Sequence, residues 1–127
     1  MTTYVIIGAS NHKEKFGYKV ALSLDELHEK LVLVNPKETE ILGKKVYASL
    51  TEAAEADEEL DVAIFIIPPV IGRKILEEIK ELNDDEQFIS VWFQPGSSTP
   101  ELIDYCKENN IDYINNKCIM VEKGNLK

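Results

Sequence analysis

A chain of 127 residues with 44% hydrophobic and 29% charged side chains is expected to fold as one globular domain, with no room for a second catalytic module. Its formal net charge of −9 argues against nucleic acid as a partner, since that affinity rests on neutralised phosphates. No apolar run reaches the ~18 residues of a membrane span and no basic leader precedes an apolar segment, so a cytoplasmic setting without membrane contact is expected.

The first element is the run Val5-Ile6-Ile7, which lacks polar alternation and reads as a strand buried on both faces of a parallel sheet. It enters Gly8-Ala9-Ser10, a polar loop holding Lys13 and Lys15, and then Gly17. Val20, Ala21, Leu24, Leu27 and Leu31 recur near helical spacing, which predicts a helix over about 17–29. Strand, glycine loop and helix together suit phosphate binding. Glycine lets backbone N–H groups approach an anion, and the helix start adds unpaired donors and the positive end of its dipole. A tight strand-to-helix turn with no ligand would use glycine equally well.

The dinucleotide fingerprint G-x-G-x-x-G is absent, because Gly8 is followed by Ala9 and Ser10. The second strand, 31–34, ends in Asn35-Pro36-Lys37 where an acidic residue would hold a ribose 2′-OH, so NAD is disfavoured. Lys37 suits a ligand with an extra phosphate on its adenosine ribose, on a loop stiffened by Pro36. Charge supports this locally: residues 1–50 carry seven lysines against six acidic residues, whereas 51–127 carry seven basic against seventeen acidic. Lys13, Lys15, Lys19, Lys37, Lys44 and Lys45 all lie in the first half, where they suit a small polyphosphate or plain loop solvation.

Further along, Lys45-Val46-Tyr47 suits a short extended piece, and Ser49 or Thr51 caps a short helix through about Ala56. The third buried strand, 61–67, stops at Pro68-Pro69, after which Ile71, Ile75, Leu76, Ile79 and Leu82 trace a helix face. The fourth, 87–93, runs into Gln94-Pro95-Gly96, where Gln94 offers a neutral donor and acceptor for a ligand amide or hydroxyl. Pro100 suits a first helical position behind a Ser98 or Thr99 cap, with Leu102, Ile103 and Cys106 facing inward. The fifth strand is 111–114, and a loosely ordered tail is expected after Cys118. Cys106 and Cys118 are not spaced as a metal or redox pair, and His12 and His28 are too few for a histidine site, so reduced thiols and no metal are expected.

Strands alternating with helices predict an α/β domain over 1–127, a Rossmann-like doubly wound five-stranded parallel sheet of order 3-2-1-4-5 with helices on both faces. The crevice between strands 1 and 4 would then gather Gly8, Asn35-Pro36-Lys37, Pro68-Pro69 and Gln94-Pro95-Gly96 at the carboxyl edge.

Several segments also match a known family in order: Gly8-Ala9-Ser10 with Lys15-Phe16-Gly17-Tyr18, Val34-Asn35-Pro36-Lys37, Ile41-Leu42-Gly43-Lys44-Lys45-Val46-Tyr47, Pro68-Pro69, Trp92-Phe93-Gln94-Pro95-Gly96 and Cys118-Ile119-Met120-Val121-Glu122. In these the chain resembles the small single-domain coenzyme A-binding proteins, whose fold is that of the N-terminal domain of the succinyl-coenzyme A synthetase α subunit. The resemblance implies coenzyme A or an acyl-coenzyme A as ligand. Lys15, Lys37 and the N–H groups after Gly8 would hold phosphates, and Asn35 to Lys37 would flank the ribose. Pro68, Pro69, Trp92 and Gln94 would line the rest, with Ala9, Ser10, Phe16, Gly17, Tyr18 and Gly96 inside the matched segments. The ligase reaction of larger relatives needs a phosphorylated histidine on a further domain and a nucleotide-grasping subunit, and neither fits here. Where relatives often carry Asp-Arg before the cysteine, this chain has Asn116-Lys117, which loses the planar two-point grip of arginine.

No nucleophile–base pair is visible, because Ser10 has no legible partner and His12 sits in a polar loop, so no catalytic residue is assigned. The alternatives are a nicotinamide- or flavin-nucleotide sensor on the same fold and an enzyme handling acyl-coenzyme A. Cys118 is a candidate for thiol exchange with coenzyme A, set against an inert, partly buried cysteine. Protein partners, including a homo-oligomer, are left open.

Overall fold

In the computed structural model, which describes residues 2–123, the apolar runs become the centre of one sheet. β1 (Thr3–Ile7), β2 (Lys30–Val34), β5 (Val62–Phe65) and β6 (Ser90–Phe93) are its four middle strands, flanked by β4 (Lys44–Tyr47) with β3 (Glu40–Ile41) and by β7 (Tyr113–Ile114). The order is β3-β4-β2-β1-β5-β6-β7, and every pairing is parallel except β3 with β4. Among the described residues no helix is long and apolar enough to cross a membrane.

Alternation along each buried strand distributes side chains to two layers. Val5, Ile7, Val32, Val34, Ala63, Phe65, Val91 and Phe93 face α2 (Leu50–Glu55), α3 (Pro69–Asp84) and α4 (Pro100–Glu108), where Leu50, Ala53, Leu76, Ile79, Leu102 and Cys106 complete one core. Ile6, Leu33 and Ile64 face α1 (Phe16–Glu26) and α5 (Ile119–Glu122), packing against Val20, Ala21, Leu24, Ile119 and Met120. Both faces of β1 are therefore buried, as its lack of alternation predicts.

Two expectations are corrected. The sheet has seven strands, and the 62–65 strand lies beside β1 (Tyr4 opposite Val62, Ile7 opposite Phe65) and not beyond β2. The outer edge of β2 is already taken by β4, with Leu33 opposite Val46 and Val34 opposite Tyr47. A hairpin whose turn residues Leu42 and Gly43 have φ of 54° and 73° folds β3 back against β4 and sets this arrangement. Strand order consequently reverses between β1 and β5, which moves the crevice there. The second correction concerns the first part of the segment after Cys118: residues 119–122 form α5, and Ile119 and Met120 are buried against α1, while residues 124–127 lie outside the described ones.

Helix boundaries follow local chemistry. Ser49 Oγ accepts from the Glu52 N–H at 3.1 Å to open α2, and Thr99 Oγ1 accepts from the Leu102 N–H at 3.3 Å ahead of Pro100 to open α4. α1 ends at Glu26, short of the expected 29, because His28 turns left-handed at φ 60° and Glu29 N–H reaches back to Leu24 O at 3.0 Å. Asp57, Glu86 and Asn110, at φ 60°, 73° and 56°, end α2, α3 and α4 the same way. None of these four residues is glycine.

Candidate functional site

The carboxyl ends of β1, β2, β5 and β6 meet along one edge, and two glycines set how closely they meet. Gly8 has φ +101°, and a Cβ there would lie 2.4 Å from Ile66 O and 2.9 Å from Ile67 Cγ2. A Cβ on Gly17 would lie 2.0 Å from Gly8 O. The start of α1 therefore rests directly on the end of β1, which in turn abuts the loop leaving β5. This start has no side-chain cap and no acidic residue in its first turn, so the positive end of the helix is left uncompensated by its own sequence.

Asn35 ties the loops together. Its Nδ2 donates to Ala9 O at 2.7 Å, while its Oδ1 accepts from the N–H groups of Lys37 at 2.7 Å and Glu38 at 3.3 Å. Ser10, nearly buried, accepts on Oγ from the His12 backbone N–H at 3.0 Å, and the exposed His12 imidazole is 3.9 Å from Glu14. Lys44 pairs with Asp25 at 3.3 Å, and the Lys19 and Lys45 ammonium groups lie over the Phe16 and Tyr47 rings. Lys13, Lys15 and Lys37 are exposed and form no ion pair with the described residues.

Two cavities open on this edge, one on each side of the Gly8 loop. The first, about 450 Å³, lies at the ends of β2 and β4 and is lined by Pro36, Lys37, Glu38, Thr39, Lys45, Tyr47, Glu52 and Glu55 among others. Beside it the Tyr47 hydroxyl donates to Glu58 Oε2 at 2.9 Å, a bond that holds the phenol above its ordinary pKa. The second, about 640 Å³, lies at the ends of β5 and β6 and is lined mainly by apolar groups: Phe16, Ile66, Ile67, Pro68, Pro69, Pro95, Gly96 and Val121, with Gln94, Ser97 and Cys118.

Of the residues singled out in the sequence, Phe16, Pro68, Pro69, Gln94, Gly96 and Cys118 thus line one cavity, and Pro36 and Lys37 the other. Gly8, Ala9, Ser10, Gly17 and Asn35 lie between the two, where the loop after β1 meets its neighbours, with Lys15 and Tyr18 at the start of α1. Trp92 departs from expectation: it lines neither cavity, packs on the α1 and α5 layer, and donates from its indole to Lys117 O at 2.8 Å. Strand alternation puts Trp92 on the same layer as Phe16 and Cys118, which line the larger cavity, but two residues before Gln94, and its indole is taken up by the Lys117 carbonyl. The buried Gln94 amide is also already engaged, with Nε2 3.5 Å from Cys118 Sγ and Oε1 accepting from Ile119 N–H at 2.6 Å. Ile66, Ile67, Ser97, Val121 and, on the other side, Glu52 and Glu55 went unassigned in the sequence. Val121 had a usable signal, because it falls inside the matched Cys118–Glu122 segment.

Comparison with known proteins bears on this edge directly. A family model described as a CoA-binding domain matches residues 2–124. The chain belongs to that family. As a CoA-binding domain it is similar to a conserved hypothetical protein from Pyrococcus furiosus, with TM-score 0.87 and 30% identity over 96% of this chain and 99% of the other. A Thermus thermophilus structure superposes with TM-score 0.83 at 28% identity, covering 98% of this chain and 90% of that one. Among curated proteins, the ADP-forming acetate–CoA ligase of Methanocaldococcus jannaschii is 36% identical over 73 residues, 58% of this chain and 10% of the ligase. The α subunit of a second such ligase, from Pyrococcus furiosus, is 38% identical over 77 residues, 60% of this chain and 16% of the subunit. This CoA-binding domain therefore corresponds to a small part of those curated relatives.

Proposed function

We propose that the chain binds coenzyme A, free or acylated, along the carboxyl edge of the sheet and performs no chemistry on it. The nucleotide end lies toward Pro36 and Lys37, the phosphates lie over the Gly8 loop and the start of α1 near Lys15, and the thiol arm lies toward Pro68, Pro69 and Gly96. The observation that carries this reading is the pair of cavities on either side of the Gly8 loop, one of mixed polarity with Lys37 and Lys45 in its lining and the other largely apolar. Coenzyme A has the same asymmetry, with a phosphorylated nucleotide at one end and a thin thiol arm at the other. An uncapped helix start between the two cavities suits the diphosphate.

The absence of chemistry is supported by the same residues. The Ser10 hydroxyl is bound by a backbone N–H, not by an imidazole, and His12 faces solvent beside Glu14. Neither arrangement activates a nucleophile. Titration calorimetry tests the assignment: coenzyme A should bind more tightly than its 3′-dephospho form, and Lys37→Ala should remove most of that difference. NAD binding more tightly than coenzyme A would replace this reading with the nucleotide-sensor alternative.

A further inference from the structure

We infer that the larger cavity receives the acyl group of a neutral, saturated acyl-coenzyme A and discriminates against acyl groups bearing a second carboxylate. This rests on the coenzyme A reading above and specifies which thioesters that site prefers. The cavity, about 640 Å³, falls within the ~300–1,000 Å³ typical of small-molecule sites. No Lys, Arg, His, Asp or Glu is among the described residues that line it. Its polar side chains are already engaged with one another and with backbone. Ser97 Oγ donates to Gln94 O at 2.6 Å, Gln94 Nε2 to Cys118 Sγ at 3.5 Å, and Gln94 Oε1 accepts from Ile119 N–H at 2.6 Å. The larger part of what faces the space is the apolar wall of Ile66, Ile67, Pro68 and Pro69, with Phe16 and Val121 beside it.

That wall sorts ligands by charge. A methylene entering it leaves water for apolar contact, whereas an ionised carboxylate loses hydration and finds no cation. Two large apolar side chains of the lining are left in water, Phe16 at 58% exposure and Val121 at 50%. An acyl chain lying between them would cover both. Without an imidazole or carboxylate in the lining to activate water, the thioester is held and not hydrolysed.

The test is calorimetry of the full chain with coenzyme A and its acetyl, butyryl, hexanoyl and succinyl thioesters. Full burial of a methylene is worth about fourfold in affinity and partial burial about twofold, so the hexanoyl thioester should bind roughly tenfold or more tightly than the acetyl one. Succinyl-coenzyme A, which matches the butyryl form in chain length but carries a carboxylate in place of its terminal methyl, should bind roughly tenfold more weakly than butyryl. Val121→Asp, at a half-exposed position, should weaken hexanoyl-coenzyme A far more than free coenzyme A. A flat series from acetyl to hexanoyl, or succinyl equal to butyryl, with coenzyme A still binding, overturns this inference alone. No binding by any member, coenzyme A included, overturns the underlying reading and this inference with it.

Discussion

Gly17→Ala sets helix propensity against backbone packing. Inside a helix alanine is favoured over glycine by up to about 1 kcal/mol, so propensity alone makes the variant more stable. The new Cβ, however, would sit 2.0 Å from Gly8 O and 3.3 Å from Ser10 N. Both are backbone atoms at the end of β1, so no rotamer change relieves the contact. Carbon–oxygen contacts settle near 3.3 Å, so the start of α1 has to retreat by about 1 Å. That movement loosens Val20, Ala21 and Leu24, which are fully buried against the sheet. Overpacking of this kind costs about 1–3 kcal/mol, and here it falls on backbone, so a net loss of about 2 kcal/mol is expected. Coenzyme A affinity should fall as well, because the N–H groups at the helix start move with it. Gly72→Ala is the control: its Cβ would meet Leu102 Cδ1 at 3.3 Å and the Phe65 ring at 3.6 Å, side-chain atoms that can yield. There propensity wins, and the variant should be neutral or more stable by up to about 1 kcal/mol. Urea midpoints at equal m values measure both. A Gly17→Ala protein as stable as the parent, or a Gly72→Ala protein equally destabilised, would refute the reasoning.

Other expectations follow from the same structure. His28→Gly and Glu86→Gly, at left-handed helix ends, should each raise stability by about 0.5–1 kcal/mol in urea unfolding, whereas Asn110→Gly should change little because asparagine tolerates that conformation. Burial pushes the Cys106 thiol from 9.0 up to about 11. The unfolded chain releases this proton first, so the Cys106 contribution to stability is complete below pH 9 and is lost as pH rises toward 11, by an amount on the order of 2 kcal/mol. Unfolding measured across that range should show a steeper fall in the parent than in Cys106→Ala, whose remaining fall comes from groups such as the Tyr47 phenol. Coenzyme A disulfide should exchange with the half-buried Cys118, releasing one coenzyme A thiol and leaving a reducible adduct, while Cys106 stays unmodified. Intact-mass spectra showing no adduct, or one that persists in Cys118→Ser, would exclude thiol exchange at that position.

The strands at the centre of the sheet were legible because burial on both faces removes polar alternation, as in Val5-Ile6-Ile7 and Ala63-Ile64-Phe65. Strand order was not, because it turns on β4, a charged four-residue piece in which Val46 alone is buried. Its pairing with Leu33 and Val34 is a tertiary event with almost no local signature. α5 escaped for a related reason, since four residues contain barely one helical turn and only the pair Ile119-Met120 marks its buried side. At the site, Gly8 and Gly17 advertised a close approach, but what they approach, one another and the loop after β5, emerges only from the fold. Alternation with Val91 and Phe93 gives Trp92 its layer, shared with Cys118, but not its depth along β6, which leaves the indole on the Lys117 carbonyl and out of the cavity that Gln94 lines.

The central claim, that coenzyme A lies across the Gly8 loop between the two cavities, is tested most directly by backbone amide shifts during a coenzyme A titration. The account predicts the largest changes at Ala9, Ser10, Phe16, Gly17, Lys37 and Gly96, and little change along the outer faces of α3 and α4. Shifts concentrated on those outer faces, or no shifts at saturating coenzyme A, would contradict it.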